Sequence, residues 1–180
     1  AEPDANGVWQ GFDVAVCRAV AAAVLSDSDA IEFVPTTGKT RFTALASGEI
    51  DMLARNTTWT FSRDVDLKFE FVGVNYYDGQ GFMAKADLGV SSATELDGAT
   101  VCIQTGTTTE LNLADFFRSN NMSYEAVPVE TGSEAVTNYM AGACDVFTTD
   151  RSALAARRAN MENPNDHVAV SYTHLRAHET

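Results

Sequence analysis

Positive charge is scarce in this chain: its 180 residues hold 12 Lys and Arg against 25 Asp and Glu, a formal net charge of −13. Phosphate binding requires a basic stripe, and nothing here forms one, so nucleic acid is excluded as a partner. No apolar run approaches the roughly 18 residues that suggest a membrane span. Cysteine is limited to Cys17, Cys102 and Cys144, too few for a disulfide scaffold and without the close pairing of zinc or redox motifs, so no metal is expected. Outside the last ten residues His167 is the sole histidine. G-x-S-x-G, G-x-G-x-x-G and G-x-x-x-x-G-K-[ST] are all missing, so no catalytic residue, nucleotide or other cofactor is expected.

No signal peptide precedes Ala1, which fits a cytoplasmic protein or a chain that begins after its targeting segment. The last ten residues, Ser171–Thr180, carry two of the three histidines and no apolar periodicity. They look like translated adapter sequence, a non-native tail, and are left out of the fold reasoning. What remains has the apolar content of an ordinary globular protein, 45% of residues, in one or two domains.

From Gly11 to Leu25, Phe12, Val16, Val20 and Val24 recur every fourth position, which predicts an amphipathic helix packed on a sheet. Ile31–Val34 reads as a short strand, and Thr37-Gly38-Lys39-Thr40 carries hydroxyls able to cap a helix over Arg41–Ser47 that Gly48 ends. Ile50–Ala54 reads as a buried strand. This order fits βαβ winding with mostly parallel strands. Tyr76–Met83 mixes aromatics with two glycines and is the expected crossing between lobes. A second series follows: strand Thr100–Gln104, helix Thr107 to about Ser119, strand Ala126–Val129, helix Ser133–Ala141, strand Cys144–Thr148 and helix Asp150–Met161. The expected fold class is α/β, with a first lobe over 1–80, a second over 81–170 and the tail over 171–180. If the strands holding Cys102 and Cys144 are neighbours, a disulfide or two buried thiols are equally compatible with the sequence.

Three segments carry the chemistry. Asn56–Arg63, Gly106–Glu110 and Thr149-Asp150 each follow an apolar strand-like run and precede a helical one, where open α/β sheets bind ligands. Hydroxyls and helix-start amides with one arginine suit a carboxylate, and Asp150 suits an ammonium. Thr60 is placed to cap a short helix, while Thr58 and Arg63 face a carboxylate; alone, a surface ion pair of Arg63 with Asp64 or Asp66 is the commoner role. Thr107-x-x-Glu110 has capping-box spacing and leaves Thr108 beside the helix start. Asp150 taken alone is an N-cap, and Arg41 taken alone a solvated surface group. Trp59, Tyr76 and Tyr77 are either walls for an aliphatic stem or core.

Together these segments resemble one family. Gly11-Phe12-Asp13-Val14, RFTALASGEID at Arg41–Asp51, RNTTWTFSR ending at Arg63, YYDGQGFM, QTGTTTELNLADFF and CDVFTTDRSAL are similar to the periplasmic solute-binding proteins of amino-acid ABC transporters, general L-amino-acid-binding branch, over about Gly7 to Val170. The resemblance implies a two-lobed periplasmic-binding-protein type II architecture, incomplete here, that closes on a free L-amino acid and presents it to a membrane permease. It implies a periplasmic location, a parent with a signal peptide, a monomer and no enzyme activity. Residue by residue, the Asn56 carbonyl with Asp150 would hold the α-ammonium, and Thr58 and Arg63 the α-carboxylate with an amide near Thr108. Thr107 and Thr108 would close from the second lobe, and Arg41 would reach the side chain of a polar or acidic ligand. The family's first strand, second crossing strand and C-terminal helices have no counterpart here, and Ala15 replaces a usual acidic residue on an exposed helix face. Other uses of the same scaffold are a periplasmic amino-acid-precursor dehydratase, which needs a carboxylate or histidine as general acid that the sequence does not nominate, and a receptor's sensing domain, which needs a membrane span or kinase fused in the parent.

Overall fold

The computed structural model describes residues 3–171, so all but the first residue of the expected tail lies outside the described residues. The chain forms two compact units, Ala1–Thr57 and Thr58–Thr180.

In the first unit the helices form as expected. Helix α1 spans Phe12–Leu25 and α2 spans Arg41–Ser47, the latter closed by Gly48 in the left-handed region at φ 74°. Thr37 supplies the turn ahead of α2: its hydroxyl accepts from the amides of Lys39 and Thr40, both at 3.2 Å. The expected strands do not form. Residues 31–34 and 50–54 are irregular and mostly half-buried, and among the described residues of this unit the only ladder contact is the isolated bridge of Pro3 and Trp9. A strand is defined by its partner's hydrogen bonds, and an apolar run without a partner stays extended but unpaired. The face expected of α1 changes for the same reason. Val14 and Ala21 are buried, whereas Phe12, Val20 and Val24 stand 57%, 39% and 74% exposed, because among the described residues no sheet of this unit lies beneath them. Ala15 is exposed, as expected.

In the second unit five strands form one sheet in the order β3-β2-β4-β1-β5. They are β1 Gln80–Lys85, β2 Ala99–Gln104, β3 Tyr124–Val129, β4 Val146–Asp150 and β5 His167–Ser171. Helices α3 (Thr108–Ser119), α4 (Gly132–Met140) and α5 (Arg151–Ala159) alternate with them. Strands β2, β3 and β4 are parallel, while β1 runs antiparallel to β4 and β5. The second half of the segment expected as a lobe crossing, Gln80–Met83, lies in β1, and β5 has no counterpart among the expected strands.

Alternation along the strands divides the core. Phe82, Val101, Ile103 and Val146 join Leu113 and Phe117 of α3 on one face. Met83, Cys102 and Phe147 join Ala135 and Tyr139 of α4 and Leu154 of α5 on the other. Side chains at i and i+2 share a face, so one strand feeds both layers. Cys102 and Cys144 are bonded as a disulfide within the second layer, their Cα atoms 5.6 Å apart, which resolves the alternative left open by the sequence; Cys17 is free and half-buried.

This topology creates a switch point in the sheet. From β2 the chain leaves through α3 on one face toward β3, then returns through α4 on the other face to β4 on the opposite side of β2. Strand order thus reverses between β2 and β4, and open α/β sheets bind ligands outside the carboxyl ends of the strands at such a switch point. Those ends carry Thr107, Thr108 and Asp150.

Candidate ligand-binding site

Gly106, at φ 72°, makes the tight turn from β2 into α3, a conformation open to glycine without steric cost. Thr107 is the N-cap: its hydroxyl accepts from the Glu110 amide at 3.2 Å and donates to the Gln104 carbonyl at 2.7 Å. Glu110 departs from the expected capping box. Its carboxylate accepts from the amide of Gly106 at 2.9 Å rather than from the cap residue itself, because the glycine turn brings that earlier amide within reach. The helix start is held by its own residues, and Thr108 is left to face outward. Its hydroxyl lies 3.0 Å from that of Thr58.

Arg63 completes this side. The turn expected after Thr60 is a π-helical turn over Ser62–Asp66, and the Thr60 hydroxyl accepts from the Arg63 amide at 3.3 Å. Arg63 is 7% exposed and donates through Nη1 to the Thr58 carbonyl at 2.8 Å. A surface ion pair does not describe it. Asp64 instead accepts from the Trp59 indole at 2.6 Å. Burial pulls the Arg63 guanidinium below its ordinary value, and the negative charge of Asp150 acts against that pull. A buried cation is tolerated only where hydrogen bonds or opposite charge offset its desolvation.

Asp150 closes β4 and occupies the N-cap position of α5, but its side chain makes no cap hydrogen bond. Asp78 caps the helix in its place, its carboxylate accepting from the Ser152 amide at 3.3 Å and from the Ser152 hydroxyl, while the Arg151 amide donates to the Gly79 carbonyl at 2.7 Å. The N-cap position expected of Asp150 is thus observed, while the side-chain capping comes from Asp78. The Asp78-Gly79 pair was the signal in the sequence, since such a dipeptide favours a turn whose carboxylate reaches following amides.

The first unit holds the remaining two expected residues side by side. Arg41 is 2% exposed, and its Nη1 donates to the Asn56 carbonyl and the Thr57 hydroxyl, both at 3.2 Å. Burial removes the solvated role that Arg41 has when taken alone. A carbonyl has two lone pairs, so that of Asn56 retains capacity for a second donor. Within the second unit, Thr58, Arg63, Thr107, Thr108 and Asp150 gather at the strand ends and the turn that precedes them. The aromatics expected as walls or core are not core: Trp59 is 38% exposed and stacks on Phe71, and Tyr76 and Tyr77 are exposed. A separate pocket of about 240 Å³, lined by Lys85, Asp87, Leu88, Gly142, Cys144 and Asp145, lies at the far end of β1 and holds none of the expected site residues.

The strand ends at the switch point thus gather hydroxyls, one buried guanidinium and one carboxylate. The chain belongs to the bacterial extracellular solute-binding proteins, family 3, whose profile matches residues 2–158. It is 65% identical over 170 residues to the glutamate/glutamine/aspartate/asparagine-binding protein of Rhodobacter capsulatus, covering 94% of this chain and 50% of that protein. It is 55% identical over 170 residues to the general L-amino acid-binding periplasmic protein of Rhizobium johnstonii, with 94% of this chain and 50% of the relative covered. Among solved structures, an ABC transporter periplasmic binding protein from Brucella ovis with glutathione bound superposes with a TM-score of 0.88 at 52% identity, covering 94% of this chain and 53% of that one. The chain spans about half the length of the curated relatives it matches. The α/β class and the likeness to periplasmic binding proteins expected from the sequence are thus confirmed.

Proposed function

We propose that this chain is part of the substrate-binding component of an amino-acid ABC transporter, that it takes a free polar or acidic L-amino acid, and that the complex is read by a membrane permease. The observation that carries this is the buried guanidinium of Arg63, held on the Thr58 carbonyl with the charge of Asp150 acting on it. A zwitterion supplies the opposite charge to each pole at once: its carboxylate meets Arg63 and the Thr58 and Thr108 hydroxyls, and its ammonium meets Asp150 and the Asn56 carbonyl. Pairing every donor and acceptor offsets the cost of removing both ionic groups from water. The names of the Rhodobacter and Rhizobium relatives support the same ligand class. So does glutathione on the Brucella relative, since its γ-glutamyl end carries a free α-amino and α-carboxylate pair.

Within this reading Arg41 contacts the ligand side chain, Thr107 and Thr108 close over the ligand, and the working protein is a periplasmic monomer of two lobes, 1–80 and 81–170 here. Ligand stabilises the closed state because only that state contacts it from both lobes. The protein holds its solute and transforms nothing. The test is calorimetric titration of a full-length protein carrying this sequence with glutamate, glutamine, aspartate and asparagine, beside its Arg63→Ala variant. Binding by the parent and none by the variant is expected; unchanged affinity in the variant refutes the assignment.

A further inference from the structure

Gln80 opens β1 and is 4% exposed. Its Nε2 donates to two groups, the Thr109 carbonyl in the first turn of α3 at 3.1 Å and the Thr148 hydroxyl in β4 at 3.0 Å. The chemistry of those partners fixes the amide's orientation. A carbonyl oxygen only accepts, and the Thr148 hydroxyl spends its own proton on the Gly81 carbonyl at 2.8 Å, so both need an N–H donor. The other end of the amide, Oε1, is buried and has no hydrogen-bond partner among the described residues. An apolar side chain would fill this space without stranding an acceptor, so what distinguishes glutamine here is its pair of donors.

Register shows what those donors hold. Gln80 lies directly opposite Asp150 on the neighbouring strand, and Thr148, two residues earlier, shares the Asp150 face. Thr109 follows Thr108, and its hydroxyl lies 2.7 Å from that of Thr107. One side chain therefore spans the turn carrying Thr107 and Thr108 and the strand end carrying Asp150.

We propose that Gln80 is a positioning residue of the ligand site, its amide clamping the first turn of α3 to the end of β4 so that the hydroxyls of α3 and the carboxylate of Asp150 keep one spacing. This rests on the amino-acid-binding reading. Removing the clamp leaves each ligand-facing group in place but lets the two sets move against each other, so affinity falls more than folding does.

The test uses a full-length protein carrying this sequence, titrated with glutamate and glutamine by calorimetry and melted by circular dichroism. Gln80→Leu is expected to weaken binding by about tenfold or more while still unfolding cooperatively. Gln80→Glu supplies a readout that simple packing would not move. Ionised, it offers no donor and meets the Thr109 carbonyl, with Asp150 opposite it in register, the Arg63 charge acting on Asp150, and Arg151 of α5 packed beside Gly79 and Gly81; protonated, it recovers one donor. Its affinity relative to the parent is therefore expected to rise as pH is lowered from about 8 to about 5, burial and Asp150 both favouring the neutral acid. A parent that binds neither amino acid overturns the reading beneath this role. A parent that binds, with Gln80→Leu unchanged or with a Gln80→Glu ratio flat across that range, overturns the role alone; if the leucine variant does not fold, the pH series decides.

Discussion

Removing the Cys102–Cys144 bridge by the double substitution Cys102→Ala and Cys144→Ala tests how the second unit is held. The two residues are 42 apart in sequence, and closing a loop of that length in the unfolded chain stabilises the native state by about 4 kcal/mol in the chain-entropy account. That is a large share of the roughly 5–15 kcal/mol that keeps a domain folded. Alanine keeps the site apolar among Met83, Tyr139, Phe147 and Leu154, so no buried hydroxyl confuses the result. Urea unfolding followed by far-UV circular dichroism reads the loss. With a slope of about 1–3 kcal/mol per molar urea, the midpoint is expected to fall by roughly 1.3–4 M. The parent should stay oxidised under reductant in native buffer, because Cys102 and Cys144 are 0% and 2% exposed, and should match the variant once reduced in urea. Equal midpoints for oxidised parent and variant would refute both the bridge and the role assigned to it. A structural bridge of this kind suits an oxidising compartment, consistent with the proposed periplasmic location.

Further outcomes follow from single positions. Arg63→Ala abolishes amino-acid binding in the titration described above, while Arg63→Lys retains charge but loses the forked donor geometry and binds more weakly. At Gly81 an added Cβ would lie 3.2 Å from Leu154 Cδ1, 3.3 Å from Arg151 Cγ and 3.3 Å from the Val170 carbonyl, so Gly81→Ala is expected to cost about 1–3 kcal/mol by urea melt, with no loss falsifying the tight packing of α5 and β5 on β1. Tyr139 is fully buried, hydrogen-bonded to His167 at 2.8 Å, and pushed up to about 12 by desolvation and then by the charge of Asp87. A raised folded value means that the neutral phenol's stabilisation is complete below about pH 10 and lost as pH climbs toward 12; Tyr139→Phe should remove that slope, and an identical alkaline profile would contradict the burial.

Much of the second unit was legible in the sequence because its elements are local and self-consistent. The Thr107 cap, the helix it opens and the apolar strands each state their conformation within a few residues, and the structure moves their ends by only one or two positions. The segments 31–34 and 50–54 fail as strands for one reason. Their composition suits a strand, but pairing needs a second strand that composition does not reveal. The α1 stripe fails likewise, since periodicity marks an apolar face without saying what covers it.

The residue types at the site, an arginine, an aspartate and a set of threonines after strand-like runs, were determined by the sequence itself, because helix starts and strand ends are encoded in neighbouring residues. Burial and partnership were decided only by tertiary structure. Which carboxylate caps α5 with its side chain depended on Asp78, 72 residues before the N-cap Asp150 by their numbers. Whether Arg63 met solvent depended on how its turn packs, and Gln80 gained its partners only when β1 came to lie between β4 and β5. Hydrogen bonds across such separations belong to the assembled sheet, and no window of sequence contains both of their ends.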